Sequence, residues 1–147
     1  MLDQALTDVR DFSHKINQDE LIDNLDLRLQ FLASAINETS TLDLRSNILV
    51  THNPIPKIQT QLYRIAQEAL NNVLKDAQAT EAQINFSSDK NGLTLEIVDN
   101  GIGFDTDQKR SGMGIVNLKE GATEIDADIQ IKSELGVGSK ILLTLIY

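Results

Sequence analysis

IQTQLYRIAQEALNNVLKDA, residues 58–77, is the stretch on which the fold turns. Ile58, Leu62, Ile65, Ala66, Ala69, Leu70, Val73, Leu74 and Ala77 recur in steps of four, three and one, which wraps one apolar stripe around about five turns of helix. A helix with such a stripe needs a surface to lie on, and its flanks supply one. Before it, Leu42, Leu44, Ile48 and Val50 alternate with polar neighbours as a strand does, until Pro54 and Pro56 forbid continuation. After it, Ala82, Ile84 and Phe86 alternate, SDKNG (residues 88–92) makes a turn with a positive φ expected at Gly92, and Leu93, Leu95 and Ile97 alternate again as a hairpin. Further on, a short helix is expected at Ile115–Glu124, then strands around Ile129–Ser133 and Lys140–Ile146 joined by the Gly136–Gly138 turn. Upstream, Leu2, Ala5, Leu6, Val9, Phe12 and Ile16 mark an amphipathic helix, and a looser helical pattern runs from Leu21 to Ile36. The sum is an α/β chain, an α+β two-layer sandwich with a mixed sheet of about five strands carrying helices on one face.

Composition narrows the function. The 147 residues hold 13 Lys plus Arg against 22 Asp plus Glu, a net charge of -9 with a pI near 4.5, and 41% are hydrophobic. A chain of this length buries roughly 68–70% of the surface its unfolded form exposes and needs no disulfide or structural metal. Cysteine is absent, which removes zinc-finger spacings, disulfides and a thiolate nucleophile. The two histidines, His14 and His52, are too far apart to form a helical ligand pair, so a metal can enter only through oxygen and amide ligands. The acidic balance disfavours nucleic acid and anionic membrane as partners, because phosphate contacts need clustered Lys and Arg. No run approaches about 18 apolar residues, and MLDQALTDVR (residues 1–10) has neither a basic start nor an apolar signal core. The chain reads as cytoplasmic, or as the cytosolic part of something longer.

Three clusters exceed what packing asks for. Glu68, Asn72 and Lys75 share one face of the long helix at i, i+4 and i+7. A solvated polar face is the plainer reading, yet Asn71–Asn72 in mid-helix is poor helix-forming chemistry. An amide oxygen can ligate Mg²⁺, a carboxylate one turn earlier can serve as a base, and an ammonium one turn later can pair with phosphate. In VDNGIGFD (residues 98–105), Asp99 leaves a buried strand ahead of Gly101 and Gly103, which places an acceptor beside backbone that a flat ligand can approach. In SGMGIVNL (residues 111–118), two glycines precede a helix whose first N–H groups can receive phosphate oxygens, although a plain helix-start turn also accounts for them.

In this order, QEALNNVLK (residues 67–75), DNGIGFD (99–105), GMG (112–114) and GVGSK (136–140) resemble the N box, the two glycine boxes and the final turn of the GHKL ATP-binding fold. That fold is shared by histidine kinases, gyrase, mismatch-repair ATPases and a heat-shock chaperone. QEALNN with its lysine, and VRDFSHKINQDELIDNLDL (residues 9–27), are similar to sensor kinases of the nitrate-sensor and lipid-fluidity-sensor type. The resemblance implies a division at residue 40. Residues 1–40 would be the end of a dimerisation and phosphoacceptor bundle with its connecting helix, and 41–147 the ATP-binding catalytic domain. It implies that Asp99 accepts the adenine amine, that Gly101 and Gly103 make room for the base, and that Ser139 stands near the same adenine. Asn72 would ligate Mg²⁺, Glu68 would be the general base, and Lys75 would contact phosphate. Gly112, Met113 and Gly114 would start the helix that caps the phosphates, beneath a lid of about residues 105–111. Ile102, Phe104, Ile115 and Leu118 would divide between core and pocket lining.

The sequence departs from the family pattern in three places. Asp76 stands where histidine commonly follows the lysine, Gly121 where an arginine is frequent, and no His-Asp/Glu acceptor motif is present. His14 is followed by Lys15 and is not expected to be phosphorylated, and His52 reads as a surface turn residue. The function implied is that of an ATP-dependent protein histidine kinase fragment. It would use ATP and Mg²⁺ to phosphorylate a histidine on an upstream helix, with a homodimer partner and a response regulator. The alternative is a stand-alone GHKL ATPase or an anti-sigma-type serine kinase acting on a partner protein.

Overall fold

A computed structural model describes residues 24–103 and 112–147. The elements are α1 (Leu25–Thr39), β1 (Asp43–Val50), α2 (Pro56–Asp76), β2 (Glu81–Asp89), β3 (Gly92–Asp99), α3 (Gly112–Glu124), β4 (Asp128–Glu134) and β5 (Gly138–Ile146). The helix anticipated at residues 2–16, with His14, and the anticipated lid at 105–111 lie outside the described residues.

Helix α2 starts where its proline can be tolerated, with Pro56 in the first turn after an extended Ile55. It ends at Asp76, and Gln78 at φ 51° turns the chain toward β2. The five strands run in the order β1-β2-β3-β5-β4, with β1 and β2 parallel and the other neighbours antiparallel. Alternation sends Ala82, Ile84, Phe86 and Ser88 of β2 and Leu93, Leu95, Ile97 and Asp99 of β3 to one buried face. The three helices among the described residues lie over that face. Each fully buried Ile or Leu there, such as Ile84 and Leu143, contributes roughly 1.5–3 kcal/mol.

The opposite face is polar and cross-linked. Asn47 donates to Asn85 at 3.0 Å, Asn85 donates to Glu96 at 2.9 Å, and Lys140 meets Glu96 at 3.1 Å. Among the described residues no helix is long and apolar enough to cross a membrane.

Helix α1 packs into the core of the sheet that follows it, across the division anticipated at residue 40. Leu25, Leu29, Leu32, Ala33 and Ile36 belong to one buried cluster with the sheet and α2. Gln59 of α2, 2% exposed, accepts the Leu25 N–H at 3.0 Å and donates to the Pro54 carbonyl at 2.7 Å, which satisfies one orphan donor of the helix start. Arg28 lies over the Tyr63 ring at 4.3 Å. At the other end of α1, the Asn37 side chain both donates to the Leu44 carbonyl and accepts the Leu44 N–H, each at 2.8 Å, on the outer edge of β1.

The hairpin corrects one expectation. Gly92 is not among the residues with positive φ. The chain reverses at Lys90–Asn91, where the Asp89 carboxylate accepts the N–H groups of Asn91 and Gly92 at 2.8 and 3.2 Å. Gly92 is extended, and a Cβ there would come within 2.3 Å of the Leu145 carbonyl oxygen on β5.

Candidate nucleotide site

Asp99 is the last residue of β3 and, in step with Leu93, Leu95 and Ile97, points to the helix-covered face, where it is 5% exposed. A carboxylate so placed needs donors. Its Oδ1 accepts the Gly101 N–H at 2.8 Å, and its Oδ2 accepts the hydroxyl of Ser139, its register partner on β5. An ionised carboxylate offers about four lone-pair positions, so these two bonds leave acceptor capacity unused. The close approach of β5 depends on Gly138. At φ 141° it holds a conformation L side chains rarely adopt, and a Cβ would sit 2.1 Å from the Asp99 carbonyl oxygen.

The loop after Asp99 is tied to its neighbours. The Ile102 N–H donates to the Ala77 carbonyl at 2.7 Å, just past α2, and the Ile102 carbonyl accepts the Gly136 N–H at 2.7 Å from the β4–β5 turn. The sequence suggests that Gly101 and Gly103 make room for a base. In the structure, the positions their Cβ atoms would take lie 2.2 Å from the carbonyls of Ala77 and Glu134 respectively, so that room is filled by the chain's own backbone.

On α2, Glu68 and Asn72 are half-buried and Lys75 is exposed. None of these three side chains makes a hydrogen bond to another of the described residues. The described residues hold no group of three or more His, Asp or Glu side chains able to cage a metal ion. Gly112, Met113 and Gly114 open helix α3, and their side-chain surroundings, like the side chain of Asp76, lie outside the described residues. Ile102 is 47% exposed beside the loop, Ile115 is half-buried, and Leu118 is core at 1%. Phe104 is outside the described residues. His52 is exposed and meets the Tyr147 ring at 5.8 Å, at the opposite end of the sheet from Asp99.

The structure therefore brings together Asp99, Ser139, Gly101 and the end of α2. Sequence reasoning gives Gly138 only as a turn residue and Asn100 no role. Asn100 fastens the loop to Thr80 and Glu81, and its only signal was its place between an aspartate and a glycine.

The helix-backed mixed sheet thus carries a carboxylate buried at a strand end, a glycine loop after it and a second glycine-rich helix start. The family described as "Histidine kinase-, DNA gyrase B-, and HSP90-like ATPase" matches residues 57–146, and the chain belongs to it. The oxygen sensor histidine kinase NreB of Staphylococcus carnosus (strain TM300) is 33% identical over 89 residues, which cover 59% of this chain and 26% of that protein. The signal transduction histidine-protein kinase/phosphatase DegS of Bacillus subtilis (strain 168) is 32% identical over 92 residues, 60% of this chain and 24% of that protein. The chain thus matches about a quarter of the length of these relatives. The histidine kinase domain from the Erythrobacter litoralis EL346 blue-light activated kinase superposes with a TM-score of 0.65 at 18% identity, covering 82% of this chain and 64% of that one. The ATP-binding domain of PrrB from Mycobacterium tuberculosis gives 0.59 at 19%, covering 86% and 90%. These two likenesses are of fold.

Proposed function

We propose that this chain binds Mg·ATP and donates the γ-phosphoryl group to a histidine on an upstream helix, as the catalytic part of a cytoplasmic two-component sensor kinase that works as a homodimer and signals to a response regulator. The observation that carries the reading is Asp99, a buried carboxylate with spare acceptor capacity at the mouth of a glycine loop. The exocyclic amine of adenine is a donor of matching kind, and Ser139 and Gly101 hold the carboxylate still to receive it. Two strands earlier in the chain, on α2, Asn72 and Lys75 would meet the phosphates, and Glu68 would stand one turn before them as the general base. Gly112, Met113 and Gly114 would present helix N–H groups to phosphate oxygens.

Bound Mg²⁺ would supply charge neutralisation between the phosphates, with Asn72 as its protein ligand. The chain's own residues do the rest: Asp99 orients the base, Lys75 offsets developing negative charge, and Glu68 takes the proton released when the imidazole nitrogen bonds to phosphorus and ADP leaves. Calorimetric titration with ATP tests the reading. Binding that strengthens with Mg²⁺ over chelator is expected, together with transfer of label from γ-labelled ATP to a longer chain supplying the upstream helix. Absence of binding, or label appearing on His14 of this chain, overturns it.

A further inference from the structure

We infer that Asn100 is a positioning residue that locks the adenine-reading carboxylate to the end of helix α2, and so helps set which base the site accepts. The inference rests on the proposed role of Asp99. The Asn100 amide oxygen accepts the N–H groups of Thr80 and Glu81 at 3.0 and 2.9 Å, and its NH₂ donates to the Thr80 hydroxyl at 2.9 Å. Its own N–H donates to the Glu81 carbonyl at 3.1 Å. One residue thereby makes four hydrogen bonds to the first turn of chain after α2.

On either side of it, Asp99 receives the Gly101 N–H and Ile102 donates to Ala77. The Gly101 N–H that fixes the Asp99 carboxylate is thus the next peptide along from the anchor. Residues 99–102 and 77–81 form one block, and α2, which carries Asn72 and Lys75, enters that block through Ala77. The Asn100 side chain directs its amide oxygen and one NH₂ hydrogen to Thr80 and Glu81. Its effect has to pass through the orientation of Asp99. Orientation matters most for telling an amine at the adenine six-position from the carbonyl guanine has there, because a carboxylate turned off line loses the bond to one and part of its repulsion toward the other.

The test is the ratio of ADP to GDP affinity, each with Mg²⁺, for the chain and for the variants Asn100→Ala, Asn100→Asp and Asp99→Asn, with thermal midpoints recorded in parallel. Loss of fold lowers both affinities alike and leaves the ratio unmoved. Asn100→Ala is expected to lower the ratio about tenfold, a small part of the discrimination that a polar group facing the base can carry. Asn100→Asp keeps acceptors for both N–H groups and can accept from the Thr80 hydroxyl, so it should restore the ratio. Should Asn100→Ala not fold, Thr80→Val removes one of the four bonds and should lower the ratio about twofold to threefold. An Asp99→Asn variant that loses discrimination while Asn100→Ala or Thr80→Val keeps it overturns the inference alone. A wild-type chain without preference for ADP, or an Asp99→Asn variant with unchanged preference, overturns the reading of Asp99 itself, and the inference falls with it.

Discussion

At one end of β3 the buried polar side chain is the Asp99 carboxylate, and at the other, one strand across from Leu93, it is the Ser88 hydroxyl at 3% exposure. Both ends need a glycine so that β5 can close in, Gly138 against the Asp99 carbonyl and Gly92 against that of Leu145. At the far end the Ser88 hydroxyl donates to the His52 carbonyl at 2.6 Å and lies 2.9 Å from the Tyr147 hydroxyl. Its single proton is used and a lone pair is met. Asp99, which donates nothing, receives two bonds and keeps lone pairs to spare. A buried polar group whose bonds close within the chain is a staple. One with capacity left over can recognise something else.

The harshest way to break this contrast is to push the strands apart at each end. Gly138→Ala adds a Cβ 2.1 Å from the Asp99 carbonyl at φ 141°, and should cost about 3 kcal/mol or more of stability and abolish nucleotide binding at once. Gly92→Ala, with a contact of 2.3 Å to Leu145, should destabilise comparably while the folded fraction still binds nucleotide normally. Thermal unfolding beside a binding titration separates the two, and equal loss of affinity in both would show that the ends are not independent. Next in size, Asp99→Asn exchanges an acceptor for a partly donating amide and should weaken adenine nucleotides by about 2 kcal/mol, roughly thirtyfold, with a much smaller change in unfolding free energy. Unchanged affinity with a fallen thermal midpoint would make Asp99 a staple like Ser88.

Smaller effects sharpen the far end. Ser88→Ala should cost about 1 kcal/mol of stability and leave nucleotide affinity alone, as measured by denaturant unfolding and calorimetry. The open face of the sheet supplies the baseline. There the Asn85 amide, with Lys140 beside it, holds the Glu96 carboxyl below the usual carboxylate range against the opposing pull of burial. The stability this contributes is fully present above the unfolded carboxyl pKa of about 4.3 and is lost as pH falls through the lower folded value. Glu96→Gln should flatten that acid limb by less than about 1 kcal/mol in acid-unfolding curves.

Much of the layout was legible in the sequence because it is written in periodicity. The stripe from Ile58 to Ala77 and the alternation through Ala82–Phe86 and Leu93–Ile97 each carry their own period, so α2, β2 and β3 follow from local rules. The placing of Ser139 beside Asp99 has no local period behind it: the resemblance to the GHKL motifs implies a site near the same base, and the register itself comes from the fold. What stayed hidden depends on distant backbone. Gly92 looks like any turn glycine until β5 lies beside it, and the turn before it is made by Asp89 instead. Gln59 and Asn100 look like surface amides, since nothing local says that one meets the start of α1 and the other the start of β2. Gly101 and Gly103 suggest room for a ligand in the sequence, and only the fold places the carbonyls of Ala77 and Glu134 where their Cβ atoms would be.

The Asn37 amide bears on how this protein behaves in a crowded solution. Strand β1 is one of the sheet's two margins, β4 being the other, and a margin with open N–H and C=O groups is a template on which another copy's strand can add. At Leu44 both groups are already engaged by one side chain reaching down from the end of α1. Asn37 imitates one rung of a neighbouring strand without offering a next rung, so stacking of sheets edge to edge meets a dead end at that point. That hindrance along the β1 edge comes from an exposed residue outside both the proposed site and the core.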